Sequence, residues 1–86
     1  MSQAKVFAPT PGVFYRRPSP EEDVYVNEGD TVAAGQVIGL VEVMKSYIEV
    51  KAEIDGVIEH FAVENGDAID AGQEIAVVSE KSSAWR

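Results

Sequence analysis

The sequence has no cysteine, one histidine and one tryptophan, and sets only 7 Lys+Arg against 15 Asp+Glu. Each scarcity removes a class of function. Without cysteine there are no disulfides, no thiolate metal sites and no cysteine nucleophile, which fits a cytosolic chain. A lone histidine, His60, cannot furnish a histidine-based metal site, and one chain with one imidazole is a poor host for a Ser-His-Asp triad. A formal net charge of −8 argues against nucleic acid and anionic membrane as partners, because phosphates are neutralised by Lys and Arg. No apolar run approaches the ~20 residues of a membrane span. The N-terminus has no charged-then-apolar signal pattern, so the expected location is cytoplasmic. The 86 residues support one domain, which buries only about 60–65 % of its unfolded surface. What is left is a small binding, scaffold or carrier domain.

What is present is a repeat. Residues 26–41, VNEGDTVAAGQVIGLV, align with residues 63–78, VENGDAIDAGQEIAVV, at an offset of 37 with eight identities in sixteen positions. They include Gly29/Gly66, Asp30/Asp67, Gly35/Gly72 and Gln36/Gln73. A second match, Ala8–Phe14 against Ala52–Ile58 with Gly12 over Gly56, has an offset of 44. The first half therefore carries seven more residues, placed between Phe14 and Val26. Two units are too few for a solenoid. They predict one small domain with a pseudo-two-fold axis.

The local pattern is β. Pro11-Gly12, Glu28-Gly29-Asp30, Ala34-Gly35-Gln36, Asp55-Gly56, Asn65-Gly66-Asp67 and Ala71-Gly72-Gln73 read as turns. Between them Val37–Val43, Tyr47–Ala52, Val57–Val63 and Glu74–Ser79 are rich in Val, Ile, Phe and Tyr. Strict alternation places Ile38 with Leu40 on one face and Val41 on the other, and likewise Ile75 with Val77 opposite Val78. No segment has helical length and period. The expected fold is all-β, about eight strands in a small sandwich whose sheets wrap around each other.

Val37 to Ala52 is too long for one strand of about 5–6 residues, so it must fold back at its most polar part. With Met44 and Lys45 as the turn, Val43 faces Ser46, Glu42 faces Tyr47 and Val41 faces Ile48. Such two-residue turns need positive φ and usually hold Asn-Gly, so Met-Lys is a locally disfavoured choice inside an otherwise consistent repeat. That marks the turn as a candidate functional site, with Lys45 projecting into water.

The run Glu42-Val43-Met44-Lys45, at the junction of half-repeats each bearing Gly-Asp and Ala-Gly-Gln, resembles the biotinyl domains of biotin-dependent carboxylases. The resemblance spans residues 6–80. It implies a flattened β-barrel or sandwich of two four-stranded antiparallel sheets, a barrel-sandwich hybrid. It also implies covalent biotin on Lys45, with Glu42, Val43 and Met44 read by a biotin protein ligase. The extra residues of the first half, with Tyr15, Arg16, Arg17, Pro18, Ser19 and Pro20, resemble the protruding thumb of carrier proteins from multi-subunit acetyl-CoA carboxylase. Two prolines stiffen this insertion (about residues 15–24), and Glu21-Glu22-Asp23 keep it solvated. By that resemblance the chain is no enzyme by itself. It is a carrier between biotin carboxylase and carboxyltransferase, serving fatty acid synthesis. The biotinyl domain covers residues 1–80, and 81–86, with Trp85, form a tail.

Three positions depart from the family pattern. Val43 replaces the usual Ala before Met-Lys, Ser46 replaces Met or Leu after it, and Arg17 stands where a small hydroxyl residue often precedes Pro-Ser-Pro. Family carriers usually have a longer N-terminal region with a Pro/Ala-rich linker. This chain begins almost directly at the domain, which reads as a free-standing carrier or part of an unusual complex. The rival with the same fold is a lipoyl domain of a 2-oxoacid dehydrogenase complex, which usually has Asp before its lysine and Ala after it. A glycine-cleavage carrier is larger and more helical. In a third class, an unmodified interaction scaffold, Lys45 is only a surface residue. An enzyme built on Glu42, Glu49 or His60 lacks a shaped pocket in so thin a core.

Overall fold

The structure is a computed structural model that describes residues 3–80; Trp85 and the expected tail 81–86 lie outside them. Eight strands follow in order: β1 (Gln3–Phe7), β2 (Gly12–Tyr15), β3 (Thr31–Val32), β4 (Val37–Val43), β5 (Ser46–Lys51), β6 (Gly56–Phe61), β7 (Ala68–Ile69) and β8 (Glu74–Glu80). They form two antiparallel four-stranded sheets, ordered β1-β8-β6-β3 and β5-β4-β2-β7. Exchanging β1 with β5, β2 with β6, β3 with β7 and β4 with β8 turns one sheet into the other. Each sheet draws two strands from each half-repeat, so neither half can bury its apolar face alone. Among the described residues no helix is long and apolar enough to cross a membrane.

The repeated residues hold the chain by repeated bonds. The Asp30 carboxylate accepts from the Asn27 amide at 2.9 Å, and Asp67 accepts from Glu64 at 2.8 Å. The Gln36 side chain accepts from Ala33 and that of Gln73 from Asp70, both at 3.0 Å. The Gly35 amide donates to the Ala52 carbonyl at 2.8 Å, and Gly72 donates to Ala8 at 2.9 Å. Both turn glycines sit in the left-handed region, φ 89° and 79°, which explains why glycine occupies both. Gly12 and Gly56 read as turn residues but open strands β2 and β6. A Cβ on Gly12 would stand 2.5 Å from the Glu42 carbonyl, and one on Gly56 would collide with the matching Ser79 carbonyl. Only a residue without a side chain lets these strands approach so closely.

The core is likewise built twice: Val6 with Val50, Phe14 with Ile58, Val32 with Ile69, Ile38 with Ile75, and Val41 with Val78 are all buried. No polar or charged side chain is buried among the described residues. Ile38 and Val41 share this core while Leu40 stands outside it, and Ile75 and Val78 share it while Val77 does not. Strict alternation fails because the pairing register slips between Val37 and Gly39, and again in β1–β8 beside Ile75. Each slip inserts one residue and reverses the faces beyond it. In so thin a core, Phe14→Ala, at a fully buried position, is expected to cost about 3–5 kcal/mol in urea unfolding.

Candidate functional site at the hairpin tip

Strands β4 and β5 pair Val41 with Ile48, Glu42 with Tyr47 and Val43 with Ser46, the register expected from the sequence. Met44 and Lys45 are left as the two turn residues, at φ 49° and 68°. Two consecutive positive values are the primed turn that matches the right-handed twist of a hairpin. Among the described residues these are the only non-glycine positions at positive φ. The left-handed conformation costs an L-residue about 1 kcal/mol or more, so the tip holds strain that the two strands maintain.

Val43 packs half-buried against the core and ties the turn to the barrel. Met44 is 92 % exposed, and Lys45 and Ser46 are exposed beside it. Lys45 makes no ion pair among the described residues. The residue therefore stands clear of the barrel, in solvent. Met44→Ala is expected to change folding stability by no more than about 0.5 kcal/mol, because the side chain touches little; thermal melting checks this.

The extra residues of the first half form a loop from Arg16 to Tyr25. The Tyr25 amide closes it by donating to the Arg16 carbonyl at 2.9 Å. At its apex the Glu22 amide donates to the Ser19 carbonyl at 3.1 Å, and the Ser19 hydroxyl to the Glu22 carboxylate at 3.4 Å. The Arg16 amide anchors the base by donating to the Asn65 side-chain oxygen at 2.8 Å.

Between this loop and the outer face of the hairpin sheet lies a groove of about 220 Å³. Its floor is Tyr15, Leu40, Glu42 and Tyr47; its wall is Arg17, Pro18, Ser19 and Pro20. The groove is thus mostly apolar with a few polar groups, the composition of a small-ligand cleft. Hydrogen bonding to Glu42 raises the Tyr15 pKa above its ordinary value, with burial and the Glu42 charge adding to it. The folded state thus favours the neutral phenol, and this contribution to stability is lost as pH rises through the raised pKa. In an ultraviolet titration, Glu42→Gln is expected to return the Tyr15 midpoint toward the usual tyrosine value.

Arg16, grouped with the thumb by sequence, does not line this groove. Its guanidinium lies 4.3 Å over the Phe61 ring and donates to the Val26 carbonyl at 3.2 Å. Leu40, Tyr47 and Asn65 line the groove without having been singled out. Tyr47 was recoverable, since the hairpin register sets it opposite Glu42. Leu40 was hidden by the register slip. His60 is exposed on β6, 4.0 Å from Glu74. No metal-binding cluster occurs among the described residues.

A family model described as "Biotin-requiring enzyme", covering biotin- and lipoyl-bearing proteins, matches residues 4–78. The chain belongs to this biotin/lipoyl family. A relative named biotin carboxyl carrier protein of acetyl-CoA carboxylase, from Porphyra purpurea, is 40 % identical over 75 residues, covering 87 % of this chain and 48 % of the relative. The protein of that name from Streptococcus pyogenes is 44 % identical over 68 residues, covering 79 % of this chain and 41 % of its own. The chain thus spans about half or less of the length of these relatives. Urea carboxylase from Kluyveromyces lactis contains a similar domain, with a TM-score of 0.76 and 26 % identity, covering 92 % of this chain and 6 % of that one. A succinylglutamate desuccinylase/aspartoacylase from Rhodobacter sphaeroides, at 23 % identity and a TM-score of 0.63, shares the fold alone.

Proposed function

We propose that this biotin/lipoyl-family chain carries biotin in amide linkage on Lys45 and serves as a biotin carboxyl carrier. The observation that carries the reading is a strained Met44-Lys45 turn that holds an exposed lysine, without an ion pair among the described residues, at the tip of a hairpin. The groove beneath the tip also fits the group. It is small and mostly apolar, with Tyr15, Leu40 and Tyr47 among its lining residues.

The residues do the following. The Lys45 amine, deprotonated, attacks the acyl carbon of an activated biotinyl adenylate held by a biotin protein ligase. A C–N bond forms as the acyl–phosphate bond breaks, and AMP leaves. The formal charge then falls from −8 to −9, since the amide is neutral. When bound, biotin supplies a ureido nitrogen that takes up and releases a carboxyl group. The chain's own task is to present that group identically to two partners, a biotin carboxylase and a carboxyltransferase. Tethering converts two diffusive encounters into local ones at effective concentrations of order mM. The thumb-like loop and the relatives' names support acetyl-CoA as the acceptor and fatty acid synthesis as the setting, and the cysteine-free sequence fits the cytoplasm. Met44 and Ser46 beside the lysine, and the loop itself, support biotin over lipoate.

Intact mass after incubation with a biotin ligase, ATP and biotin tests the reading. A gain of one biotinyl group and complete capture by avidin are expected. An unshifted mass, or a shift equal to lipoate from a lipoyl ligase alone, overturns it. Pull-down of the labelled chain is expected to recover biotin carboxylase and carboxyltransferase subunits.

A further inference from the structure

The repeat breaks at the base of the insertion loop. Glu28 and Asn65 occupy matched positions, each directly before a glycine. Each side chain does the same work for the opposite half. The Glu28 carboxylate accepts from the Phe61 amide at the end of β6, at 2.9 Å. The Asn65 side-chain oxygen accepts from the Arg16 amide just past β2, at 2.8 Å. The glycines that follow donate to matched carbonyls, Gly29 to Ile58 and Gly66 to Phe14, both at 2.7 Å. The second half thus uses a carboxamide where the first uses a carboxylate, although either group can accept the bond.

That difference makes Asn65-Gly66 chemically labile. Glycine has no Cβ to shield its amide nitrogen, which can attack the side-chain carbonyl of the asparagine before it. A bond forms from Gly66 N to Asn65 Cγ, the Cγ–Nδ2 bond breaks, and ammonia leaves with the Gly66 amide proton. Water then opens the cyclic imide. Opening at Cγ gives aspartate. Opening at the main-chain carbonyl gives isoaspartate, whose side-chain methylene becomes part of the backbone. Asn65 and Gly66 are both exposed, so water reaches them. The other asparagine, Asn27, is followed by Glu28 and lacks this lability.

The fold restrains the first step. Phe14 holds the attacking nitrogen and Arg16 holds the side chain, so cyclisation must break the Gly66 bond and turn Asn65. It therefore proceeds through local opening at the loop base. We propose that Asn65 is a modification site at which spontaneous deamidation, gated by that opening, unfastens the insertion loop through its isoaspartate product. Aspartate at this position keeps the acceptor, as Glu28 does in the first half. Isoaspartate displaces both the acceptor and the Gly66 amide, so Arg16 and Phe14 lose their partners together. The bonds from Tyr25 to Arg16 and from Glu22 to Ser19 survive, but they tie the loop only to itself. What still ties it to the second half is the Arg16 guanidinium over Phe61. None of this depends on what Lys45 carries.

The test ages the full chain at neutral pH, with and without urea. Mass spectrometry with fragmentation reads the amide-to-acid gain and locates isoaspartate. The gain is expected at Asn65 and not at Asn27. It is expected to be at least about tenfold slower without urea, because hydrogen bonds of the fold must break first. Limited trypsin reads the loop: Arg17 precedes proline, so the cut falls after Arg16. The isoaspartate form is expected to be cut there faster than fresh chain, while Asn65→Asp resists like the parent. No gain at Asn65 even in urea overturns the site. Equal rates with and without urea overturn the gating. An isoaspartate form as resistant as fresh chain overturns the unfastening. So does an Asn65→Asp chain cut as fast as the isoaspartate form, because charge alone would then suffice.

Discussion

Lys45→Arg is expected to abolish biotin labelling outright while leaving the melting temperature of the chain unchanged. The two readouts separate because the site is held by its neighbours and contributes nothing to them. Lys45 touches no buried group and makes no ion pair among the described residues, so losing its amine removes no packing. Arginine keeps the charge, and its cost at φ 68° is close to that of lysine. The stability change should stay within about 0.5 kcal/mol, the usual range for exposed substitutions. Labelling has no such tolerance. The guanidinium stays protonated at any pH the fold survives and cannot attack an acyl carbon. Lys5 and Lys51 are exposed too, but each is paired with a glutamate and lies on a strand rather than at a strained tip. Intact mass and avidin capture should therefore fall from complete to nil. Label that survives on another lysine would show that the ligase does not need this turn, and the assignment of Lys45 would fall with it.

The hairpin was legible because sequence separation along a tight turn leaves little freedom. Once Met44 and Lys45 are the turn, every pair from Val43/Ser46 to Val41/Ile48 follows. The pseudo-two-fold was legible for a different reason. The same carboxylate and amide side chains satisfy the same backbone donors in both halves, so the residues had to recur. The faces of β4 and β8 were not legible. A bulge is one residue of irregular backbone, and the isolated Gly39, which is compatible either with a bulge or with close packing, does not fix where the register slips. That single slip sent Leu40 out of the core and onto the floor of the groove. Arg16 and Arg17 show the same limit. They are adjacent and chemically identical, yet one lies over Phe61 and the other on the groove wall. Which way each turns depends on where Phe61 and Asn65 arrive from the other half of the chain, 45 or more residues on.

The strain at the tip makes the second large effect one of stability. Replacing Met44-Lys45 by the preferred pair, Met44→Asn with Lys45→Gly, is expected to raise the melting temperature by about 4–8 °C. Each non-glycine residue at positive φ costs about 1 kcal/mol or more, so relieving both gains roughly 2 kcal/mol. Glycine gives back about 1 kcal/mol through the extra freedom of the unfolded chain. The remaining gain of about 1 kcal/mol corresponds to that shift in a domain of this size. Nothing offsets it, because neither Met44 nor Lys45 is buried. The single change Met44→Asn should give a smaller rise while keeping the lysine. A fall in labelling in that variant, with its stability raised, would mean that the ligase reads the methionine itself. A double variant that melts at or below the parent temperature would show that the turn is not strained. The disfavoured pair would then need an explanation other than function at the tip. The expected rise instead shows that the chain gives up stability at this turn and holds it in place through the paired strands on either side.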